Sequence, residues 1–298
     1  MNVTERVLAF GASGALHGVL AEPEPRQRIE GAPGILFWNV GTNHHVGPHR
    51  VFVELARTLA PLGFYSLRFD TSGLGDSAAS RDDNRPDAER NKSDVREAML
   101  ALKKQRGIEH FVLVGFCSSV DAAHAVAVDA PDVVGVVYLE GYQYRTRRFY
   151  AQYPARLLDR NRWERRLRLK YPKLFGEPEA LNDRALDPET VFLRDYPTPE
   201  QLTSDVRSMV RRGAKLLWIY SGGDTNYSYE EQFFDFVKAP ELQGKLDIVF
   251  YPGADHTFFL VEQRERVMND VVGWLQRTFA GAQPERVSHE FEVRDSGA

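Results

Sequence analysis

The stretch V-G-F-C-S-S-V-D-A-A, residues 114–123, joins two kinds of sequence. Before it, F-V-L-V-G-F (111–116) is a continuous apolar run, as a strand buried on both faces requires. After it, from about Ser118, the pattern is helical. A strand that turns sharply into a helix can lift one side chain above the sheet, provided the residues two before and two after are small. Gly115 and Ser119 bracket Cys117 in this way. The backbone N–H of Ser118 would then point from a helix start toward the place where negative charge develops. A buried cysteine before an ordinary helix is the plain alternative, because unpaired Cys is among the most buried residue types.

Outward from this junction, short apolar runs alternate with amphipathic stretches. Residues 6–21 read as a hairpin with a Gly/Ser turn, and G-I-L-F-W-N-V-G (34–41) as a buried strand ending at glycine. A helix over 51–63 follows, with Phe52, Leu55, Ala56 and Leu59 on one face and Gly63 as its stop. F-Y-S-L-R-F-D (64–70) is a strand entering the loop T-S-G-L-G-D-S, and 93–105 is a helix that Ser93 could cap. V-V-G-V-V-Y-L-E-G (133–141) is a further strand. The alternation stops at 142 and resumes with A-K-L-L-W-I-Y-S-G-G-D (214–224), a helix through E-E-Q-F-F-D-F-V-K, a strand over 245–256 and a helix over about 262–279. This is the pattern of an α/β protein, a mostly parallel sheet with helices on both faces. The expected organisation is a core of 1–141 and 214–280, an inserted helical cap of 142–213, and a polar tail of 281–298.

Composition bounds the function. At 298 residues and 43% hydrophobic, the chain can bury a large core. One cysteine precludes an internal disulfide and any Cys-cluster metal site. A formal charge of −4 argues against a nucleic-acid-coating protein. No apolar run has the length of a membrane span, and the start M-N-V-T-E-R-V-L-A-F does not read as an export signal, so a cytoplasmic protein is expected. No motif calls for a cofactor. Asn43, His44, His45 and His49 cluster in one loop, but without a zinc spacing, and loop hydrogen bonding is the expected role.

Two distant fragments bear on Cys117. L-W-I-Y-S-G-G-D (217–224) places Asp224 just past one strand, and Y-P-G-A-D-H-T-F (251–258) places His256 just past the next. Singly, each has an ordinary reading as a turn or structural residue. Together they give the chain order nucleophile, acid, histidine at successive strand ends. In this arrangement His256 is base and then acid, and Asp224 fixes its tautomer.

With these residues in view the sequence resembles the α/β-hydrolase fold superfamily over nearly its whole length. G-T-N-H-H-V-G-P-H-R (41–50) and L-A-P-L-G-F-Y-S-L-R-F-D-T-S-G-L-G-D-S (59–77) are similar to the serine-aminopeptidase-like and exosortase-associated hydrolase branch. The resemblance implies an oxyanion hole formed by the backbone N–H groups of Thr42 and Ser118. It also implies a second candidate acid, Glu140, because some cysteine relatives take the carboxylate from that strand end; a solvated or cap-pairing Glu is the ordinary reading. Cys stands where the superfamily usually has Ser, and Ser119 where it usually has a second Gly. A Cys in this position is similar to dienelactone hydrolases, to cysteine-type aminoacyl shuttles of nonribosomal peptide pathways and to cyclising thioesterase relatives.

A thiol paired with an imidazolium ionises before substrate arrives, and its acyl-enzyme is a thioester. Thioester exchange is nearly thermoneutral, and amines and thiols compete well against water for it. The sequence therefore points to acyl transfer from a carrier-protein or CoA thioester, with a thioesterase or ester hydrolase as the second reading and a catalytically silent binding module as the third. Residues 142–173 carry eleven Arg and Lys against Asp159 and Glu164. That segregated charge suits an acidic acyl or peptidyl carrier protein, with Arg145, Arg147 and Arg148 as candidate phosphate-arm contacts, or else a solvated helical face. Tyr142, Tyr144, Phe149, Tyr150 and Tyr153 interleave with the arginines and are expected mainly to pack cap on core. His124 is expected to face away from the site.

Overall fold

Alternate residues of the central strands enter two separate cores, and this fixes the layers. The computed structural model describes residues 3–79, 84–151, 194, 196–223 and 226–281. Its strands are β1 (Thr4–Phe10), β2 (Leu16–Glu22), β3 (Gly34–Trp38), β4 (Ser66–Phe69), β5 (Phe111–Phe116), β6 (Val133–Leu139), β7 (Lys215–Ser221) and β8 (Asp247–Tyr251). Every residue of β3, β4 and β5 is buried, which is why β3 and β5 read as unbroken apolar runs; β4 buries Ser66 and Arg68 as well. From these strands Leu36, Trp38, Leu67, Phe69, Phe111 and Leu113 point to one face. Ile35, Phe37, Val112, Val114 and Phe116 point to the other.

The sheet order is β1-β2-β4-β3-β5-β6-β7-β8. The hairpin β1–β2 is antiparallel, from Thr4 opposite Glu22 to Phe10 opposite Leu16, and β2 is antiparallel to β4. All later pairings are parallel. The carboxyl ends of β3, β5, β6, β7 and β8 therefore share one rim, where ligands sit in open α/β sheets.

The helices are α1 (Val51–Leu59), α2 (Asp87–Arg106), α3 (Ser119–Asp129), α4 (Arg147–Ala151), α5 (Pro199–Arg211), α6 (Gln232–Phe236) and α7 (Val261–Phe279). Helices α1 and α7 cover one face with Phe52, Leu55, Val267, Val271 and Leu275. Helices α2, α3 and α5 cover the other with Val95, Leu102, Val120, Val126, Leu202 and Val206. Helix α2 begins at Asp87, not at Ser93. Pro86 is its N-cap, and ion pairs Arg90–Asp87 and Lys92–Glu89 stabilise the polar first turns that carry no apolar periodicity. Residues 199–211, which the sequence groups with the cap, form the crossover helix before β7 and bury Leu202, Val206 and Met209 in the core. Most of the expected cap, including the bases from Arg156 to Lys173, and the tail from 282 onward lie outside the described residues. Among the described residues no helix is long and apolar enough to cross a membrane.

Candidate active site

Cys117 stands in the bend between β5 and α3 with φ of 51°, a left-handed conformation that costs a non-glycine residue about 1–3 kcal/mol. Its surroundings over-determine that bend. The N–H of Cys117 donates to the Leu139 carbonyl at 2.8 Å, continuing the β5–β6 ladder, and Val120 N–H closes a turn on the Cys117 carbonyl at 3.2 Å. A Cβ on Gly115 would lie 2.7 Å from Cα of Val120, so only glycine lets the strand meet the helix here. Ser119 replaces the second small glycine by using its side chain. Its Oγ accepts from Phe116 N–H at 2.7 Å and donates to the Phe116 carbonyl at 2.9 Å, pinning the turn from within.

His256 follows β8 in the loop before α7. Asp255 shapes that loop by accepting from Thr257 N–H (2.9 Å), the Thr257 hydroxyl (2.7 Å) and Phe259 N–H (2.8 Å). These bonds outweigh burial, the largest influence and an opposing one, and hold the Asp255 carboxyl below its ordinary range. The His256 ring packs beside Phe116, with centroids 6.2 Å apart, and hydrogen-bonds the Cys117 sulfur. Its Nδ1 lies 3.2 Å from Oε2 of Glu140.

Among the described residues Glu140 is the carboxylate that meets the histidine, and the expectation of a solvated or cap-pairing Glu is corrected. It is fully buried at the end of β6, with φ of 52° that swings its side chain over the rim. Besides His256, it accepts from Gln143 Nε2 at 3.0 Å and from the N–H of Ser221. An uncompensated carboxylate at this depth costs several kcal/mol, and these three donors offset that cost. Asp224, the acid expected from the sequence, lies outside the described residues.

The sulfur is half-buried. Burial alone raises its pKa. The His256 hydrogen bond and charge, the Arg194 guanidinium and the Ser118 N–H together reverse this and bring the thiol below its ordinary value. Arg194 was not singled out in the sequence. It grips Asp121, one helical turn beyond Cys117, through Nε to Oδ2 (3.1 Å) and Nη2 to Oδ1 (2.7 Å), and lies 4.6 Å over the Tyr196 ring. Only its partner on α3 shows why an arginine belongs there.

On the opposite side, the loop after β3 faces the start of α3. Gly41 N–H donates to Ser118 Oγ at 2.7 Å, and Thr42 is exposed next to it. A cleft of about 1200 Å³ opens here, lined in part by Gly41, Thr42, Ser118, Asp121, Tyr142 and Arg194. The histidines of this loop serve its shape. Asp70, at the end of β4, accepts from Asn39 Nδ2 (2.7 Å) and His45 N–H (2.7 Å) on one oxygen. The other oxygen takes the His45 ring (2.7 Å) and Asp76 N–H (3.0 Å). His44 and Asp76 complete a group of side chains of metal-ligating type, but the Asp70 carboxylate is fully engaged in bracing the loop.

The arginines proposed as phosphate contacts have partners of their own. Arg145 donates to Asn226 Oδ1 at 2.9 Å, Arg148 pairs with Glu231 at 3.2 Å and covers the Tyr229 ring at 4.4 Å, and Arg147 lies on α4. Phe149 is buried and Tyr150 exposed, whereas Tyr142 and Tyr144 belong to an aromatic network with Tyr196. His124 is buried against Tyr138 (3.2 Å) and Asp205 (3.1 Å) and borders the cleft.

No protein-family model and no curated protein sequence matches the chain. Solved structures do. A Pyrococcus furiosus esterase is 15% identical with a TM-score of 0.54, over 93% of this chain and 91% of its own. A dienelactone hydrolase-like promiscuous phosphotriesterase from metagenomic libraries is 13% identical with a TM-score of 0.56, over 94% and 100%. An alpha/beta hydrolase from Penicillium sp. sh18 is 16% identical with a TM-score of 0.55, over 94% and 100%.

The chain has the α/β-hydrolase fold. Cys117 occupies the strand-to-helix turn between β5 and α3. Glu140, after β6, and His256, after β8, meet beside it. Three of the six non-glycine residues with positive φ among the described residues are Cys117, Glu140 and Phe258, at three successive corners of this site. Strain gathered at one rim is characteristic of a site whose geometry is held by its surroundings.

Proposed function

We propose that the protein cleaves an ester or thioester through an S-acyl intermediate on Cys117. The observation that carries this reading is the unbroken relay from the Cys117 sulfur to the His256 ring to the buried Glu140 carboxylate. Cys117 attacks the substrate carbonyl as thiolate, forming a carbon–sulfur bond and an oxyanion. The backbone N–H groups of Ser118 and Thr42 receive that oxyanion. Its collapse breaks the bond to the leaving oxygen or sulfur, which takes the proton held on His256. Water then attacks the thioester, giving its proton to His256, and the thiolate departs with the acid product released. Glu140 keeps the ring tautomer that presents Nε2 to the reacting atoms. Hydrolysis is preferred because the esterase and hydrolase neighbours share the fold with this chain.

Acyl transfer is the second reading, and the sulfur itself favours it, because amines and thiols intercept a thioester more readily than an oxygen ester. In that reading the donor is an acyl thioester on CoA or on an acidic carrier protein, drawn to Arg145, Arg147 and Arg148 with a salt-sensitive affinity. Stopped-flow hydrolysis of p-nitrophenyl acetate tests the common step: a burst of nitrophenolate equal to the enzyme concentration is expected. Its absence in an enzyme that still turns over the ester would contradict an S-acyl intermediate. Adding an amine or thiol separates the two readings, since only a transferase diverts most of the acetyl group from water.

A further inference from the structure

Two adjacent serines follow the nucleophile, and only one has its hydroxyl fully used. Ser119 Oγ both accepts and donates within the turn. Ser118 is the N-cap of α3, yet makes no side-chain cap, because its backbone is already helical (φ −65°, ψ −28°) instead of extended as capping requires. The bend at Cys117 therefore frees the Ser118 side chain from the usual duty of a serine at a helix start. It reaches across to the loop after β3, where its oxygen accepts the Gly41 N–H at 2.7 Å. A hydroxyl has two lone pairs and one proton. Among the described residues the Ser118 proton has no acceptor, and Ser118 lines the cleft together with Gly41 and Thr42.

We infer that the Ser118 hydroxyl is a third oxyanion donor. It is held by Gly41, whose N–H is spent on this oxygen and so does not itself face the substrate. Accepting that bond polarises the O–H and strengthens its donation. The hydroxyl shares a residue with one backbone donor and adjoins the Thr42 N–H on the other side. A carbonyl oxygen attacked from Cys117 then enters a cradle of two N–H groups and one O–H. This rests on the acyl-Cys117 reading and adds a catalytic residue to it.

The test compares the parent with Ser118→Ala and Ser118→Thr in two reactions at Cys117. Acetylation by p-nitrophenyl acetate passes through an oxyanion, whereas alkylation by iodoacetamide does not. Loss of one such donor lowers acyl chemistry by about 10²–10³-fold. Ser118→Ala is expected to acetylate about 10²-fold more slowly and to alkylate at the parental rate, while Ser118→Thr stays within about tenfold of the parent in both. Equal alkylation also shows that the variant is folded with its thiolate intact. If Ser118→Ala acetylates as fast as the parent, or loses both reactions in proportion, this inference is overturned while the acyl-enzyme stands. A parent that takes no acetyl onto Cys117 overturns both.

Discussion

Glu140 and His256 are 116 residues apart in sequence, yet the Glu140 carboxylate lies 3.2 Å from the His256 ring, closing a relay onto Cys117. Glu140 follows β6, the strand beside β5, and its oxygens are also engaged by Gln143 and the Ser221 backbone. Glu140→Gln keeps the shape but permits the wrong ring tautomer, and a loss of about 10²–10⁴-fold in the acetylation rate is expected. Asp224→Asn is expected to stay within about tenfold of the parent. The reverse ranking, measured with the same ester, would move the acid role to Asp224.

The thiol's protonation gives a second prediction. Burial raises the Cys117 pKa, but His256, Arg194 and the Ser118 N–H lower it further than burial lifts it. Alkylation should therefore remain fast below the ordinary thiol value of about 8.5 and fall only as pH drops through the depressed pKa. In His256→Ala the chief opposing influence is gone and burial dominates, so the inflection should move upward. A parental inflection at or above about 8.5 would contradict the ion pair.

Acid stability tests the brace beneath the loop after β3. Hydrogen bonds and the charge of His45 outweigh burial to hold Asp70 down from 3.8 to about 2. A depressed carboxylate stabilises the fold above its unfolded pKa and loses that contribution as pH falls through the folded value. Asp70→Asn should be less stable than the parent by about 2 kcal/mol at pH 7, with the gap closing between about pH 4 and pH 2. Urea unfolding at several pH values measures it, and a gap constant with pH would refute the assignment.

The bend itself depends on Gly115, where an added methyl meets the backbone of Val120 rather than a movable side chain. Gly115→Ala should cost about 1–3 kcal/mol, lowering the thermal midpoint by about 2–4 °C per kcal/mol at this chain size. It should also slow alkylation of Cys117, since the displaced turn carries the sulfur. A variant that melts and alkylates like the parent would show that the turn tolerates a methyl group.

Much of this arrangement was legible in the sequence. Strands such as 111–116 announce themselves because they are buried on both faces and admit only apolar residues. The small–x–Cys–x–small spacing marked the bend, and His256 was placed after the last strand, where the structure has it. The acid was harder. Asp224 and Glu140 both end apolar strands, and nothing local tells which strand's end reaches the imidazole. The contact of Glu140 with the imidazole comes with a left-handed backbone at the end of β6 that no local pattern announces. The start of α2 was missed because its first turns are held by exposed ion pairs and have no apolar face. Arg194 carried no local signal either, since its role is defined by Asp121, 73 residues away.

The most direct test of the whole account is peptide mapping by mass spectrometry after a brief, acid-quenched reaction with p-nitrophenyl acetate. A single acetyl group is expected on the peptide containing Cys117, lost on longer incubation and absent from Cys117→Ala. An unmodified Cys117 in a protein that consumes the ester, or the same adduct in Cys117→Ala, would contradict it.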